Sequence, residues 1–210
     1  MDDAGELMGW PFKDPAWPTK LLLTGLLWLL LSLTLVGIPI AAASLNGWML
    51  AAADRYRAGR AELPPAGLYL GRGWRLFLVQ LIYFLGLLLI SALPVAVGFK
   101  VGGVGGGLLA VFGESLLLLG STSLVAATPA IILLTEAGGL RGGLDVGGLL
   151  RLLRTRSHES AASGLMSLLC LDIISPFGLL ACGIGLVAST PYAYAVLAAT
   201  AVAYDRKVRR

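Results

Sequence analysis

The sequence predicts an all-α fold, a polytopic transmembrane helix bundle of about six membrane-embedded helical segments with short basic interfacial helices. Three observations predict it. Hydrophobic residues make up 57% of the chain and charged residues only 13%, against about 25% charged in ordinary soluble domains. Mean hydropathy is +0.84. The apolar residues gather into runs long enough to cross a hydrocarbon core of ~30 Å, which takes about 20 residues of helix, and the arginines lie in the gaps between those runs. Residues 1–20 read as an interfacial N-terminal tail, 21–204 as a single transmembrane domain and 205–210 as a basic C-terminal tail. The longest gaps between apolar runs, Asp54–Arg75 and Ala137–Ser160, are too short for a soluble domain.

In the tail, Pro11, Pro15 and Pro18 argue against a regular helix, and Trp10, Phe12 and Trp17 suit a membrane interface, where amphipathic rings collect. Lys20 marks the point where the chain meets the bilayer. Leu21–Val36 followed by Ala41–Ala43 resembles a signal peptide with its cleavage site. The preceding tail carries Asp2, Asp3, Glu6 and Asp14 against Lys13 and Lys20, opposite to the positive start of such a peptide, so the segment reads as uncleaved.

Leu21–Ala53 is apolar throughout and would run about 50 Å as one straight helix. Gly37-Ile38-Pro39 lies in its middle, and Pro39 disfavours helix just before it. The expectation is two helices, at about 21–36 and 39–57, joined there as a hairpin, with one kinked helix as the alternative. Leu76–Gly98 is a plain span. Phe99–Gly107, with Lys100 and five glycines, reads as a flexible connector; GGVGGG lacks the Lys-Ser/Thr of a phosphate loop. Leu108–Glu136 is the central span. Gly113, Gly120, Ser123 and Ala127 give it a small-residue face against which another backbone can come close.

After this span, GLLRLLRTRSHES alternates leucine with Arg151, Arg154 and Arg156, the pattern of a basic amphipathic helix lying on a surface; the alternative is a solvated helix end. Ala161–Tyr204 is again too long for one span, and Ser175-Pro176-Phe177-Gly178 supplies turn chemistry. Helices are expected at about 160–175 and 178–204, with Pro191 kinking the second. Cations collect on the cytoplasmic side of membrane proteins. Arg55–Arg75, Arg141–Arg156 and the C-terminus are then cytoplasmic and Lys100 external, in the plasma membrane. Six segments put both termini inside; a five-span alternative puts the N-terminus outside.

Three stretches carry a family resemblance: Pro11-Phe12, Asp14-Pro15, Trp17 and Lys20 before an apolar run; Asn46-Gly47-Trp48 with Gly59 and Leu63-Pro64; and Ser189-Thr190-Pro191-Tyr192 with Tyr194, Val196 and Tyr204. In these the chain resembles the bacterial and archaeal polytopic membrane proteins that share the domain of unknown function four-zero-one-three. It departs from their pattern at Ala198-Ala199-Thr200-Ala201. The resemblance implies a polytopic membrane protein with no assigned activity, and it carries no catalytic residue over.

Catalytic groups are scarce. His158 is the only histidine, SHES is not HExxH, and Gly164-Leu-Met-Ser-Leu is not a nucleophile elbow. Cys170 and Cys182 lie in apolar sequence and read as small buried hydrophobes. The expectation is no enzyme, no cofactor and no metal. The net charge of +4, from 16 Lys+Arg and 12 Asp+Glu, points to lipid headgroups rather than nucleic acid, with Arg72, Arg75, Arg151, Arg154 and Arg156 as candidate contacts. Partners are then membrane lipids, with other membrane proteins or a second copy beside them. Ionisable groups inside a span are costly and functional by default, which singles out Glu114 and Asp172 as a candidate intramembrane ion or proton site. The plainer reading is that each reaches the outer interface or pairs with Lys100. The function reading is a non-enzymatic scaffold or subunit in contact with lipids or partner helices; the alternative is a small transporter or channel using the two acids.

Overall fold

The computed structural model describes residues 4–178 and 185–209, and in them the chain is helical with no strand. A short helix α1 (Ala4–Gly9) and a 3-10 turn (Trp10–Lys13) precede α2 (Trp17–Ser32), α3 (Gly37–Arg57), α4 (Leu70–Val101), α5 (Gly103–Gly143), α6 (Val146–Thr155), α7 (Ser157–Phe177) and α8 (Leu186–Val208). Four of these, α4, α5, α7 and α8, are long and apolar enough to cross a membrane. Helix α2 has 16 residues, only about 24 Å, and α3 is buried along most of its length. Among the described residues four helices thus qualify as spans, and the expected count of about six is not reached by that measure.

The tail departs from expectation. It contains α1 and the 3-10 turn, and α2 begins at Trp17 with Pro18 in its first turn, where a proline lacks no useful donor. Trp10 is not an interface residue: it is buried, stands edge-on to Tyr56 at 5.2 Å and donates its indole N–H to the Arg60 carbonyl at 3.2 Å. The α2–α3 break falls at 33–36, ahead of the expected Gly37–Pro39. The Thr34 hydroxyl accepts from the Gly37 N–H at 3.0 Å, and Pro39 sits in the first turn of α3, where it fits.

Helix α4 overruns its expected span at both ends, and its connection to α5 is far shorter than GGVGGG suggested. The turn is made at Gly102 (φ 67°) and Gly103 (φ 60°), and the following glycines are already helical. Gly106, Gly113 and Gly120 recur every seven residues, close to two helical turns, so they share a face. That face meets α4: a Cβ on Gly106 would lie 2.3 Å from the Gly98 carbonyl oxygen, one on Gly113 2.6 Å from that of Ser91, and one on Gly120 2.3 Å from Leu87. Further along, Gly164 of α7 comes against Ala126. Of the expected small-residue face, Gly113 and Gly120 meet α4 and Ala127 is buried, whereas Ser123 is exposed and bonds back to the Leu119 carbonyl; α7 meets the neighbouring Ala126. Non-helical Gly139 (φ 62°) ends the regular part of α5. The chain then folds back so that the Tyr83 hydroxyl donates to the Gly143 carbonyl at 2.9 Å.

The core lies where α3, the first turns of α4, the last third of α5 and α8 meet, with Trp48, Leu76, Ile131, Ile132, Leu197 and Tyr204 almost wholly buried. Beyond Val79 the outward faces of α4 and α5 carry exposed Leu85, Leu89, Phe99, Leu108, Phe112 and Leu118. Such a largely apolar surface on a helix pair, interrupted at Glu114, suits hydrocarbon rather than water. Near its end α7 passes through a π-helical stretch, Leu169–Ile174, and stays helical through Ser175–Phe177, past the expected break at 175. The expected start of the next helix at 178 runs into residues outside those described, and α8 is described from Leu186.

Candidate functional site

Two polar centres organise the molecule. The first is built on Leu63, in the extended stretch between α3 and α4. Asp14 closes the 3-10 turn, and its carboxylate accepts from the Ala16 N–H at 2.8 Å, the Leu63 N–H at 2.7 Å and the Lys20 ammonium at 2.7 Å. The Leu63 carbonyl in turn accepts from Lys20 at 2.9 Å and Arg55 at 2.8 Å. Trp48 donates to the Pro64 carbonyl at 3.3 Å. A connector with no ladder or helix of its own thereby satisfies its backbone groups with side chains. Asp14 is 2% exposed. Burial opposes its charge, but the hydrogen bonds from Lys20, Ala16 and Leu63 and the Lys20 charge hold the carboxyl below the ordinary range. Asp14, Lys20, Trp48, Leu63 and Pro64 all belong to the stretches that carry the family resemblance, so those motifs form one structural junction.

The second centre is the charged end of the bundle, where α3, α5 and α8 finish and α4 begins. Arg57 reaches Asp54 at 3.1 Å, Glu136 at 3.2 Å and Asp205 at 3.8 Å. Arg72 bonds both Asp54 and Glu136, and Arg209 pairs with Asp205. Four helices are clamped by acids and arginines that neutralise one another. Cations at the ends of α3 and α8 also suit the negative pole of the helix dipole. Beside the clamp lies a small cavity of about 70 Å³ lined by Arg72, Arg75, Thr135 and Glu136.

The expected contacts divide accordingly. Arg72 is committed to the clamp, whereas Arg75 is exposed and makes no ion pair among the described residues. Asp145 caps α6, accepting from the Gly148 N–H at 2.9 Å. Leu149 is buried, Leu152 and Leu153 are half-buried, and Arg151 and Arg154 are exposed. Arg156 lies 3.9 Å from Glu159. Glu114 and Asp172 are both exposed, and neither has a hydrogen bond or ion pair among the described residues. Glu114 projects from the α4–α5 pair, and Asp172 lies in the π-helical stretch of α7. His158 is exposed, Cys170 is buried, and Cys182 lies outside the described residues.

Sequence reasoning passed over Asp14, Asp54, Glu136 and Asp205. Asp14, Asp54 and Asp205 stand near helix ends in polar stretches, where an acid ordinarily means a solvated loop, and Glu136 closes an apolar run, where it reads as the edge of the span. The available signal was charge balance: Asp54 sits among Arg55, Arg57 and Arg60, and Asp205 heads DRKVRR.

No curated protein and no solved structure gives a significant match to the chain. The family model described as a protein of unknown function (DUF4013) matches residues 30–187. The matched region takes in Asn46-Gly47-Trp48, Gly59 and Leu63-Pro64 and leaves both Pro11–Lys20 and Ser189–Tyr204 outside it. Since the match covers well over half of the chain, the protein belongs to the DUF4013 family.

Proposed function

We propose that the protein is a non-enzymatic membrane scaffold or subunit, held in the plasma membrane by six embedded segments with both termini cytoplasmic. It contacts anionic lipid through its basic surfaces and partner helices or a second copy through its apolar faces. One observation carries the reading: the acids at the charged end of the bundle, Asp54, Glu136 and Asp205, are spent on arginines in a clamp between helices, while Glu114 and Asp172 stand exposed along the helices. Such an arrangement supports a rigid body better than a polar path. In this reading α6 rests on the inner leaflet, leucines down, with Arg151 and Arg154 toward headgroups, each worth about 1 kcal/mol near an anionic surface. The test is the phosphatidylglycerol retained through purification. Arg151→Gln with Arg154→Gln lowers it, and unchanged lipid content defeats the lipid-contact reading.

A second reading, a small transporter or channel, is favoured by the placing of Asp172 in a π-helical stretch, since such turns are frequent at functional sites. Ion flux through reconstituted protein separates the two readings.

A further inference from the structure

The α3 terminus builds a cleft that the scaffold reading does not use. Gly59 (φ 70°) takes the left-handed conformation, its N–H donates to the Tyr56 carbonyl at 3.0 Å, and the Arg60 N–H donates to the Arg55 carbonyl at 2.9 Å. That is a Schellman ending, and it turns Arg60 back over the helix it leaves. The Trp10 indole fixes the Arg60 carbonyl from the other side. The result is a cleft of about 190 Å³ lined by Glu6, Trp10, Lys13, Tyr56, Arg60 and Arg206.

Three cations and one acid share this cleft. Glu6 lies 3.7 Å from Lys13. Arg206 rests over the Tyr56 ring at 5.4 Å. Among the described residues neither Arg60 nor Arg206 has a carboxylate within ion-pair distance, unlike Arg57, Arg72 and Arg209, which are all paired. Arg206 and Lys13 occupy the last turns of their helices, which accounts for their charge. Arg60 has no such account, and its backbone is held on both sides. The guanidinium fork suits phosphate oxygens, and two unpaired forks and an ammonium around one cleft are a donor set for a phosphate group.

We propose that Lys13, Arg60 and Arg206 form a binding site for a phosphate group, carried by a lipid headgroup or by a free phosphorylated compound. Trp10 and Tyr56 make the wall of the site and hold its cations in place. The proposal stands apart from the scaffold reading, which rests on α6 and the clamp.

The test uses the full chain in nanodiscs of phosphatidylcholine, titrated with inorganic phosphate, and in nanodiscs that also contain phosphatidylglycerol. Saturable phosphate binding is expected, weakened about tenfold by Arg60→Gln or by Arg206→Gln, as for loss of a charge-assisted hydrogen bond, and tightened by Glu6→Gln. Phosphate that binds and displaces no phosphatidylglycerol identifies a free ligand. Phosphatidylglycerol enriched around the wild type, and lost in the Arg60→Gln/Arg206→Gln double variant, identifies a headgroup. Arg151→Gln with Arg154→Gln leaves the phosphate titration unchanged, which separates this site from α6. No saturable phosphate binding, together with equal phosphatidylglycerol in wild type and double variant, overturns the proposal. Retained helicity of each variant by circular dichroism keeps misfolding from passing as lost binding.

Discussion

The carbonyl oxygen of Val187 stands 1.7 Å from the point where a Cβ on Gly25 would lie. Pro191, four residues on, has no N–H to give that carbonyl, so α2 approaches α8 where the helix leaves a backbone acceptor without its usual donor. The Gly25 Cα–H faces the oxygen at close range, a contact of the kind that recurs between tightly packed helices.

Gly25→Ala therefore places a methyl group on a backbone atom that cannot rotate away. The expected cost is at least the ~1–3 kcal/mol of an overpacked core, read as a lower unfolding temperature in detergent. Gly86, inside α4, has nothing within 4 Å of its Cβ position, and Gly86→Ala should be neutral or raise stability by up to about 1 kcal/mol through helix propensity. Equal effects from the two substitutions would show that the α2–α8 approach is not tight in solution.

The Asp14–Leu63 junction predicts a dependence on pH. The folded-state pKa of Asp14 is lowered. Its contribution to stability is thus fully present above the unfolded carboxyl value and is lost as the pH falls through the folded value. Asp14→Ala should cost about 3–5 kcal/mol, as for removing one partner of a buried ion pair, and should open residues 58–69 to protease. Asp14→Asn keeps an acceptor for the Leu63 N–H and should cost less. Melting curves that fall in parallel for wild type and Asp14→Asn as the solution is acidified would remove Asp14 as the source of the acid sensitivity.

Arg72 and Glu136 predict a measurable coupling between α4 and α5. Glu136 is 18% exposed and takes both Arg57 and Arg72, whereas Arg72 is half exposed. Screening reduces what such a pair contributes. A double-mutant cycle with Arg72→Gln and Glu136→Gln should give a coupling of about 1 kcal/mol that shrinks in high salt. Glu136→Gln should be the more damaging single change, because Glu136 is the less exposed partner and bonds both Arg57 and Arg72.

Much of the fold is legible in the sequence because a bilayer leaves few choices: runs such as Leu76–Gly98 and Leu108–Glu136 must be helices. Small residues at seven-residue spacing announced the face of α5 that meets α4, although not that α7 would come against Ala126 beside it. Trp10 could not be placed, since a tryptophan beside a proline in a polar tail reads as an interface anchor. Only the fold brings Tyr56 and the Arg60 carbonyl to it. Asp14 was illegible for the same reason: its partner N–H lies 49 positions away. The Gly37–Pro39 break was placed late because a proline is equally at home in the first turn of the next helix as in the turn before it.

Glu114 and Asp172 give the last prediction. Both are exposed on helices that qualify as membrane spans, and neither has a partner among the described residues. The hydroxyl of Ser115, beside Glu114, is bonded to the Val111 carbonyl four residues back at 2.8 Å, and those of Thr122 and Ser123 are likewise bonded within α5. That stretch of α5 therefore asks nothing of its surroundings except at Glu114. A charged carboxylate in hydrocarbon costs ~2.5–3.5 kcal/mol on insertion scales, so each acid lies near a headgroup region or is covered by a partner helix. Glu114→Gln and Asp172→Asn should leave the melting temperature unchanged or raise it, because the amide removes that cost. In the scaffold reading, vesicles containing wild type or either variant carry no proton or cation current above that of empty vesicles. A wild-type current that disappears in both variants while their folds persist would overturn the scaffold reading and make the two acids a conduction path.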